Sequence, residues 1–201
     1  MKIVDALVLK SLKGVGDVSI TKLLELTGNE GISSLEELAE IGVENLPLSK
    51  VPKVLKEFLS SGNFEVERLR TEDELCTWNT QGIKVIYRHS EEYPNQILGL
   101  EDPPPFLFYK GNLSLLKNTR AIAVVGTRND SPKGALIATK TVEAFHNRKF
   151  VIVSGLALGI DTIAHKAALK FGAPTVAVLV DLSKISPATN RDLAEQILQN
   201  D

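Results

Sequence analysis

The sequence predicts an α/β fold: a Rossmann-like parallel sheet with helices on both faces, preceded by a small all-α domain. From Arg120 onward, three apolar runs alternate with helical segments, and a glycine loop follows each of the first two runs. Apolar strands that are separated by helices are typical of a parallel sheet covered on two sides. Before residue 65, apolar residues recur at helical spacing instead. We therefore expect two domains, over residues 1–65 and 66–201.

The first predicted domain, residues 1–65, consists of short helices. Ser33 and Ser34 precede acidic residues and are the expected N-cap of one of these helices. The run Leu12-Lys13-Gly14-Val15-Gly16 is similar to the hairpin of a helix-hairpin-helix motif, in which glycine N–H groups face a DNA phosphate. The alternative is a purely structural helical hairpin, and the acidic composition of this part of the chain favours it.

The second predicted domain, residues 66–201, starts within a polar helix between residues 63 and 82. A proline-rich lead-in over residues 83–119 contains two expected strands, Ile83–Tyr87 and Phe106–Tyr109. Three consecutive prolines precede the latter strand. Because proline cannot donate to a sheet ladder, they indicate an edge strand.

The Rossmann-like part of the chain has three strands and three helices in alternation. The expected strands are Ala121–Val125, Phe150–Val153 and Thr175–Val180. The expected helices are residues 134–147, Asp161–Leu169 and 188–199. Ligands of such sheets bind beyond the carboxyl ends of the strands, where the helix N-termini point. Both glycine loops stand at such ends, so they form the expected binding site.

The two loops, Gly126-Thr127-Arg128 and Ser154–Asp161, have chemistry suited to a phosphate. Glycine allows close approach of the backbone, and arginine can donate two hydrogen bonds to one phosphate. The N–H groups of the second loop could form an anion nest, and Ser154 adds a hydroxyl. We expect Asp161 to cap the following helix. Taken alone, the glycines could instead serve only the tight turns.

Composition limits the remaining classes of function. Residues 1–119 hold 13 Lys and Arg against 18 Asp and Glu, whereas residues 120–201 hold 10 against 7. A polyanion is therefore expected to meet the second part of the chain. Cys76 is the only cysteine, and no apolar run reaches the ~18 residues of a membrane span, so we expect a cytoplasmic protein without disulfides. The loops match neither G-x-G-x-x-G nor a P-loop, and the three histidines are scattered, so we expect neither cofactor nor metal.

The residues around both loops resemble the signature of the DprA/Smf family of DNA-processing proteins. The resemblance covers about residues 83–190. The segments that carry it are Tyr93-Pro94, Asp102–Pro105, Tyr109–Gly111, Gly126-Thr127-Arg128, the run VSGLALGIDTIAH at Val153–His165, and Asn190. It implies a non-enzymatic adaptor that binds and protects incoming single-stranded DNA and helps to load the recombinase RecA during natural transformation.

The predicted DNA-binding residues combine this resemblance with local charge. They are Gly126, Thr127, Arg128, Lys133, Ser154, Gly155, Leu156, Ala157, Gly159, Lys166 and Asn190. Among them, Lys133 and Lys166 are included for their charge alone. No catalytic residue is predicted, because Ser154 lacks the G-x-S-x-G setting of a nucleophile. Trp78 and Tyr87 could stack on bases, but isolated aromatic residues of this kind more often belong to the core.

Two features depart from the family, and two alternative functions stay open. No glycine follows the third strand, where Leu179–Lys184 stands, and family members continue past the position of Asp201 with elements that complete the sheet. An unpaired edge strand tends to pair with another chain, so we expect a homodimer or a partner chain. One alternative is a nucleotide-processing enzyme similar to nucleoside-monophosphate phosphoribohydrolases, whose P-G-G-x-G-T loop has no match here. The other is a degenerate interaction module.

Overall fold

A computed structural model describes residues Met1–Asn200, and the chain forms two compact units. The first unit is Met1–Phe108, and the second begins at Tyr109. Within the described residues, no helix combines the length and the apolar character that crossing a bilayer requires. The division between the units falls later in the chain than the predicted boundary after residue 65.

The first unit is mainly helical. Its helices are α1 (Ile3–Ser11), α2 (Asp17–Glu30), α3 (Leu35–Glu40), α4 (Lys53–Ser61), α5 (Phe64–Thr80) and α6 (Asn95–Leu98), with a 3-10 turn at Val43–Asn45. Two strands, β1 (Lys84–Tyr87) and β2 (Phe106–Tyr109), pair with each other. The Ser34 hydroxyl accepts from Glu37 N at 3.3 Å, which confirms the predicted helix cap.

The segment from residue 66 to Phe108 belongs to the first unit because it completes the core of that unit. Phe106 is buried in the same apolar cluster as the side chains of α1 to α4. Trp78 of α5 meets Phe108 edge-on, with 5.1 Å between the ring centroids, so it packs in the core as predicted. Arg68 of α5 donates from Nε to Oδ1 of the buried Asp5 in α1, at 2.6 Å. These contacts explain why α5 and the lead-in up to Phe108 join the helical unit rather than the parallel sheet.

The second unit contains a parallel sheet with the strand order β3-β4-β5. The strands are β3 (Ala121–Ala123), β4 (Val151–Ser154) and β5 (Thr175–Ala177). The helices that follow them in turn are α7 (Pro132–His146), α8 (Ile160–Phe171) and α9 (Arg191–Gln199), with 3-10 turns at Leu113–Lys117 and Ala188–Asn190. This alternation confirms the predicted Rossmann-like α/β class.

β3 and β5 are shorter than the sequence predicts. They end at Ala123 and Ala177, although their apolar runs continue to Val125 and Val180. In the described sheet both strands pair with β4, which turns into a glycine loop after Ser154. Beyond Ala177, the last bond to β4 runs from Val178 N to Ser154 O, at 2.9 Å. The length of β4 therefore sets the length of its neighbours.

Helices α7, α8 and α9 pack on the same face of the sheet. Ile122 and Ile152 share a buried core with α7 and α8, and Ala177 packs with α9. Because side chains alternate between the faces of a strand, Val125 and Val178 point to the opposite face, where they are 70% and 62% exposed. The helices predicted for this second face are not among those that the structure describes in this unit.

Candidate nucleic-acid interface

The two glycine loops cross each other at the carboxyl ends of β3 and β4. Ile160 N donates to Thr127 O at 3.1 Å, which joins the second loop to the first. Gly159 has φ +77°, and a Cβ there would collide with Thr127 O and lie 2.8 Å from the Arg128 backbone. Only glycine permits two backbones to cross this closely. We refer to residues 125–129 and 155–160 together as the crossed loops.

Asp161 holds the crossed loops together from inside. One carboxylate oxygen accepts from Gly126 N at 3.3 Å, and the other accepts from Gly155 N at 3.1 Å. Asp161 is only 6% exposed. The prediction that Asp161 caps α8 is wrong, because that helix begins at Ile160 and its N-cap is Gly159. The carboxylate instead satisfies one backbone N–H group from each loop.

Gly126 and Gly155 leave no room for a side chain. A Cβ at Gly126 would lie 2.7 Å from Cγ1 of Ile160, and a Cβ at Gly155 would lie 2.8 Å from Oδ2 of Asp161. Both distances are far below van der Waals contact, so larger residues would displace α8 or its carboxylate. The packing of the loops against α8 therefore requires both glycines, whatever ligand binds.

Ser154 lies beneath the crossed loops with its hydroxyl already engaged. The residue is buried, and its Oγ donates to Val124 O at 2.6 Å. Because Val124 continues the neighbouring strand, this bond ties β4 to β3 at the point where the loops begin. The structure thus places the predicted phosphate-binding hydroxyl inside the protein rather than on the surface of the loops.

Asn190 is also buried, and it fixes the second loop. Its Nδ2 donates to Leu156 O and to Thr162 Oγ1, each at 2.8 Å. Thr162 Oγ1 in turn donates to Ala157 O at 2.6 Å. Leu156 is fully buried with φ +57°, a conformation that is rare for leucine. The sequence includes Asn190, Leu156 and Ala157 among the DNA-binding residues, whereas the structure gives the Asn190 side chain a role in holding this turn.

The crossed loops present Thr127, Arg128 and Leu158 to solvent. The backbone N–H groups of Thr127 and Arg128 have no hydrogen-bond partner within Met1–Asn200. Thr127 Oγ1 accepts from Asn129 N at 3.2 Å, which shapes the tip of the first loop. Leu158 on the second loop is 47% exposed. Hydrogen-bond donors for an anion therefore stand beside exposed apolar surface.

The two lysines predicted from charge alone differ in their placement, although both are exposed. Lys133 lies in the first turn of α7, whose N-cap Ser131 accepts from Gly134 N at 3.1 Å. A Cβ at Gly134 would lie 3.6 Å from Cδ1 of Ile160, so this turn adjoins the crossed loops. Lys166 lies in the middle of α8, and no contact in the described part of the chain links it to the loops.

His165 of α8 is buried against the strands. Its Nδ1 lies 2.9 Å from Thr175 Oγ1, which itself donates to Ile152 O at 2.9 Å, so the imidazole is the donor to the hydroxyl. Its Nε2 has no partner among the described residues. Burial lowers the pKa of His165 to about 4, although the nearby Asp161 carboxylate opposes the shift. The ring is therefore neutral near pH 7 and belongs to the core.

Sequence reasoning missed the positioning roles of Asp161 and Thr162. Both stand in the first turn of α8, directly after a glycine N-cap. Glycine has no side chain with which to cap a helix, so the first polar side chains beside the preceding loops are those of the first helical turn. That combination of a glycine cap and polar first-turn residues is the signal that points to these roles.

The predicted helix-hairpin-helix run forms the turn between α1 and α2. Gly14 has φ +97°, and Gly16 precedes Asp17, the first residue of α2. Lys10 Nζ pairs with Asp17 Oδ1 at 3.4 Å. An acidic residue in the first turn disfavours a phosphate at this helix terminus, which supports the structural alternative for the hairpin.

Comparison with known proteins identifies the family of this chain. Residues 84–201 match the family described as DNA recombination-mediator protein A. Two relatives are named DNA processing protein DprA. That of Bacillus subtilis is 35% identical over 63% of this chain and 43% of the relative. That of Streptococcus pneumoniae is 46% identical over 52% of this chain and 37% of the relative. The X-ray structure of DprA from Streptococcus pneumoniae matches 98% of this chain and 65% of that chain, with a TM-score of 0.77 and 34% identity. The matches thus span less than half the length of these two curated relatives. Because the family match covers more than half of its residues, the chain belongs to the DNA recombination-mediator protein A family.

Proposed function

We propose that this chain binds single-stranded DNA as a non-catalytic adaptor, with the crossed loops as its phosphate-binding surface. The names of its family and relatives, recombination mediator and DNA processing protein, support a role on DNA. The observation that carries the proposal is the solvent-facing Arg128, which lies on a loop whose backbone is held by Gly159 and Asp161. A pre-ordered loop binds with less loss of conformational entropy than a mobile one.

The chemistry of the first loop suits a phosphate diester. The Arg128 guanidinium carries five N–H donors in a planar array that matches two phosphate oxygens. The unbonded backbone N–H groups of Thr127 and Arg128 add two donors at the same loop tip. Lys133, in the adjoining turn of α7, adds a positive charge. Together these groups supply the affinity for the backbone of a nucleic acid.

The apolar neighbour of these donors favours a single strand over a duplex. Leu158 is exposed beside the polar tip of the first loop. The bases of a single strand have unpaired faces that can lie against such side chains, whereas a duplex buries those faces in its stack. An interface that combines phosphate donors with exposed apolar surface therefore selects the single strand.

The proposal of an adaptor rather than a nucleotide-processing enzyme rests on the burial of two side chains. Ser154 directly precedes the second loop, His165 is the histidine nearest to that loop in sequence, and both side chains are buried. The Ser154 hydroxyl donates to a backbone carbonyl, and the His165 ring contacts Thr175. A nucleophile and a base must reach the substrate, and neither side chain does so here.

The expected recombinase comes from the family resemblance, the expected compartment from the composition, and the expected partner chain from the unpaired edge strand. We expect RecA to receive the bound strand, the chain to work in the cytoplasm, and a homodimer or partner chain to complete the sheet. The exposed valines on the second sheet face, Val125 and Val178, support an additional covering element.

Fluorescence anisotropy of a labelled oligonucleotide tests the proposal, with the wild-type chain and Arg128→Ala compared at two salt concentrations. Removal of the charged hydrogen bonds is expected to weaken binding about 10- to 100-fold at low salt. The slope of log affinity against log salt is expected to become shallower by about 0.7 for each phosphate that the variant no longer neutralises. Unlabelled duplex should compete poorly.

Arg148→Ala is the matched control, because Arg148 is exposed in the same unit and its removal changes the net charge equally. It is expected to bind like the wild type. Equal affinities of the wild type and Arg128→Ala would contradict the proposed site, and release of free base from a nucleotide would contradict the adaptor.

A further inference from the structure

The point where the two glycine loops converge is the natural place for a bound anion. In parallel α/β sheets, the first N–H groups beyond neighbouring strands point toward a common position outside the carboxyl ends. In this chain Gly126 N and Gly155 N point toward such a position, at the ends of β3 and β4. A phosphate held there would receive one donor from each loop.

That position is occupied by the protein itself. The two oxygens of the Asp161 carboxylate lie 3.3 Å from Gly126 N and 3.1 Å from Gly155 N, and the residue is 6% exposed. A Cβ on Gly155 would already lie 2.8 Å from Oδ2, so no space separates the loop from the carboxylate. A phosphate at the same place would need this volume and would face a like charge at contact distance.

We propose that Asp161 is an internal anion that closes the convergent N–H site and thereby makes the interface selective for a polynucleotide over a free nucleotide or inorganic phosphate. This inference rests on the proposed function and names the residue that sets its substrate class. With the inner donors engaged, phosphate groups meet only the outer donors of Thr127 and Arg128. A single phosphate gains little from so few exposed contacts, whereas a strand gains from several phosphates at once.

The same bonds give Asp161 a positioning role. By accepting from both loops, the carboxylate holds Gly126 and Gly155 at a fixed separation, while Gly159 crosses over Thr127 above it. The outer donors therefore keep their direction without a ligand. An asparagine at this position has one acceptor oxygen, so it can retain only one of the two bonds and turns N–H donors toward the other loop.

The test titrates inorganic phosphate, thymidine 5′-monophosphate and a thymidine 20-mer into three 15N-labelled proteins: wild type, Asp161→Asn and Asp130→Asn. In the wild type, the Gly126 and Gly155 amide signals should stay unchanged with all three probes, while the Thr127 and Arg128 amides shift with the 20-mer. In Asp161→Asn, phosphate and the mononucleotide should bind about tenfold more tightly or better, because the opposing charge is gone and a side chain that keeps only one of the two loop bonds is displaced more easily. The affinity ratio of 20-mer to mononucleotide should fall at least about tenfold.

Asp130→Asn is the matched control, because Asp130 is exposed close to the first loop and bonds neither glycine. Removing its charge should raise both affinities together and leave their ratio unchanged. An unchanged ratio in a folded Asp161→Asn protein overturns the proposal. Phosphate-induced shifts of Gly126 and Gly155 in the wild type also overturn it, and this second measurement decides the matter if the variant does not fold. Failure of the wild type to bind the 20-mer would refute the proposed function, while the phosphate titration would still decide whether Asp161 closes the inner site.

Discussion

Replacement of Asn190 by alanine separates a residue that positions a loop from one that touches DNA. The substitution removes two hydrogen bonds of 2.8 Å, to Leu156 O and Thr162 Oγ1, from a buried site. Each bond contributes about 1 kcal/mol, and an unsatisfied buried carbonyl costs about 1–3 kcal/mol. Asn190→Ala should therefore lower the free energy of unfolding by about 2–4 kcal/mol, a large part of the ~5–15 kcal/mol of an ordinary domain.

Urea denaturation followed by circular dichroism measures this decrease, and amide hydrogen exchange locates it. Exchange should accelerate at Leu156 and through the first turn of α8, where the turn loses its support. Asn147→Ala, an exposed substitution at the end of α7, is the control and should leave both measurements unchanged. If Asn190→Ala instead keeps wild-type stability and exchange but loses DNA affinity, Asn190 contacts the strand directly and the positioning argument is refuted.

Two further predictions concern the crossing of the loops and the buried imidazole. Gly159→Ala should lower the free energy of unfolding by at least about 2 kcal/mol more than Gly172→Ala does. Both glycines have positive φ, but only Gly159 lies against another backbone. Equal decreases in the free energy of unfolding, measured by urea denaturation, would argue against the close crossing. The low pKa of His165, about 4 against 6.5 for an unfolded histidine, favours the neutral ring in the fold, so stability is complete above pH 6.5 and falls as the pH drops toward 4. Between pH 7 and 5 the wild type should lose about 2 kcal/mol more unfolding free energy than His165→Gln. Parallel pH profiles of the wild type and His165→Gln would be the contrary result.

The sequence predicts the fold class because each strand of the second unit carries its own local signal. The run Phe150–Val153 predicts β4 to within one residue, since a central strand is apolar on both faces. The ends of β3 and β5 carry no such signal. Their apolar runs continue past the last residue of β4 that can pair with them, so their length depends on a neighbour that is distant in sequence.

The division between the units is harder to predict for a related reason. Phe106–Tyr109 alternates and carries prolines before it, which indicates a strand but not the core that the strand joins. The contact of Trp78 with Phe108 and the pairing of β2 with β1 place the part of this lead-in up to Phe108 with the helices. Such contacts join residues far apart in sequence, so local composition alone places the boundary too early.

A family signature marks the residues that build a site as well as those that touch its ligand. Ser154 follows Ile152 by two positions, and alternate residues of a strand share a face, so Ser154 points toward the helices as Ile152 does. Arg128 comes after Gly126, beyond the strand pairing, where alternation no longer directs a side chain inward. Asn190 gives no local signal, because its partner Leu156 lies 34 residues away. Substitutions at the two inward residues should therefore change the geometry and stability of the loops, whereas substitution of Arg128 should change affinity alone.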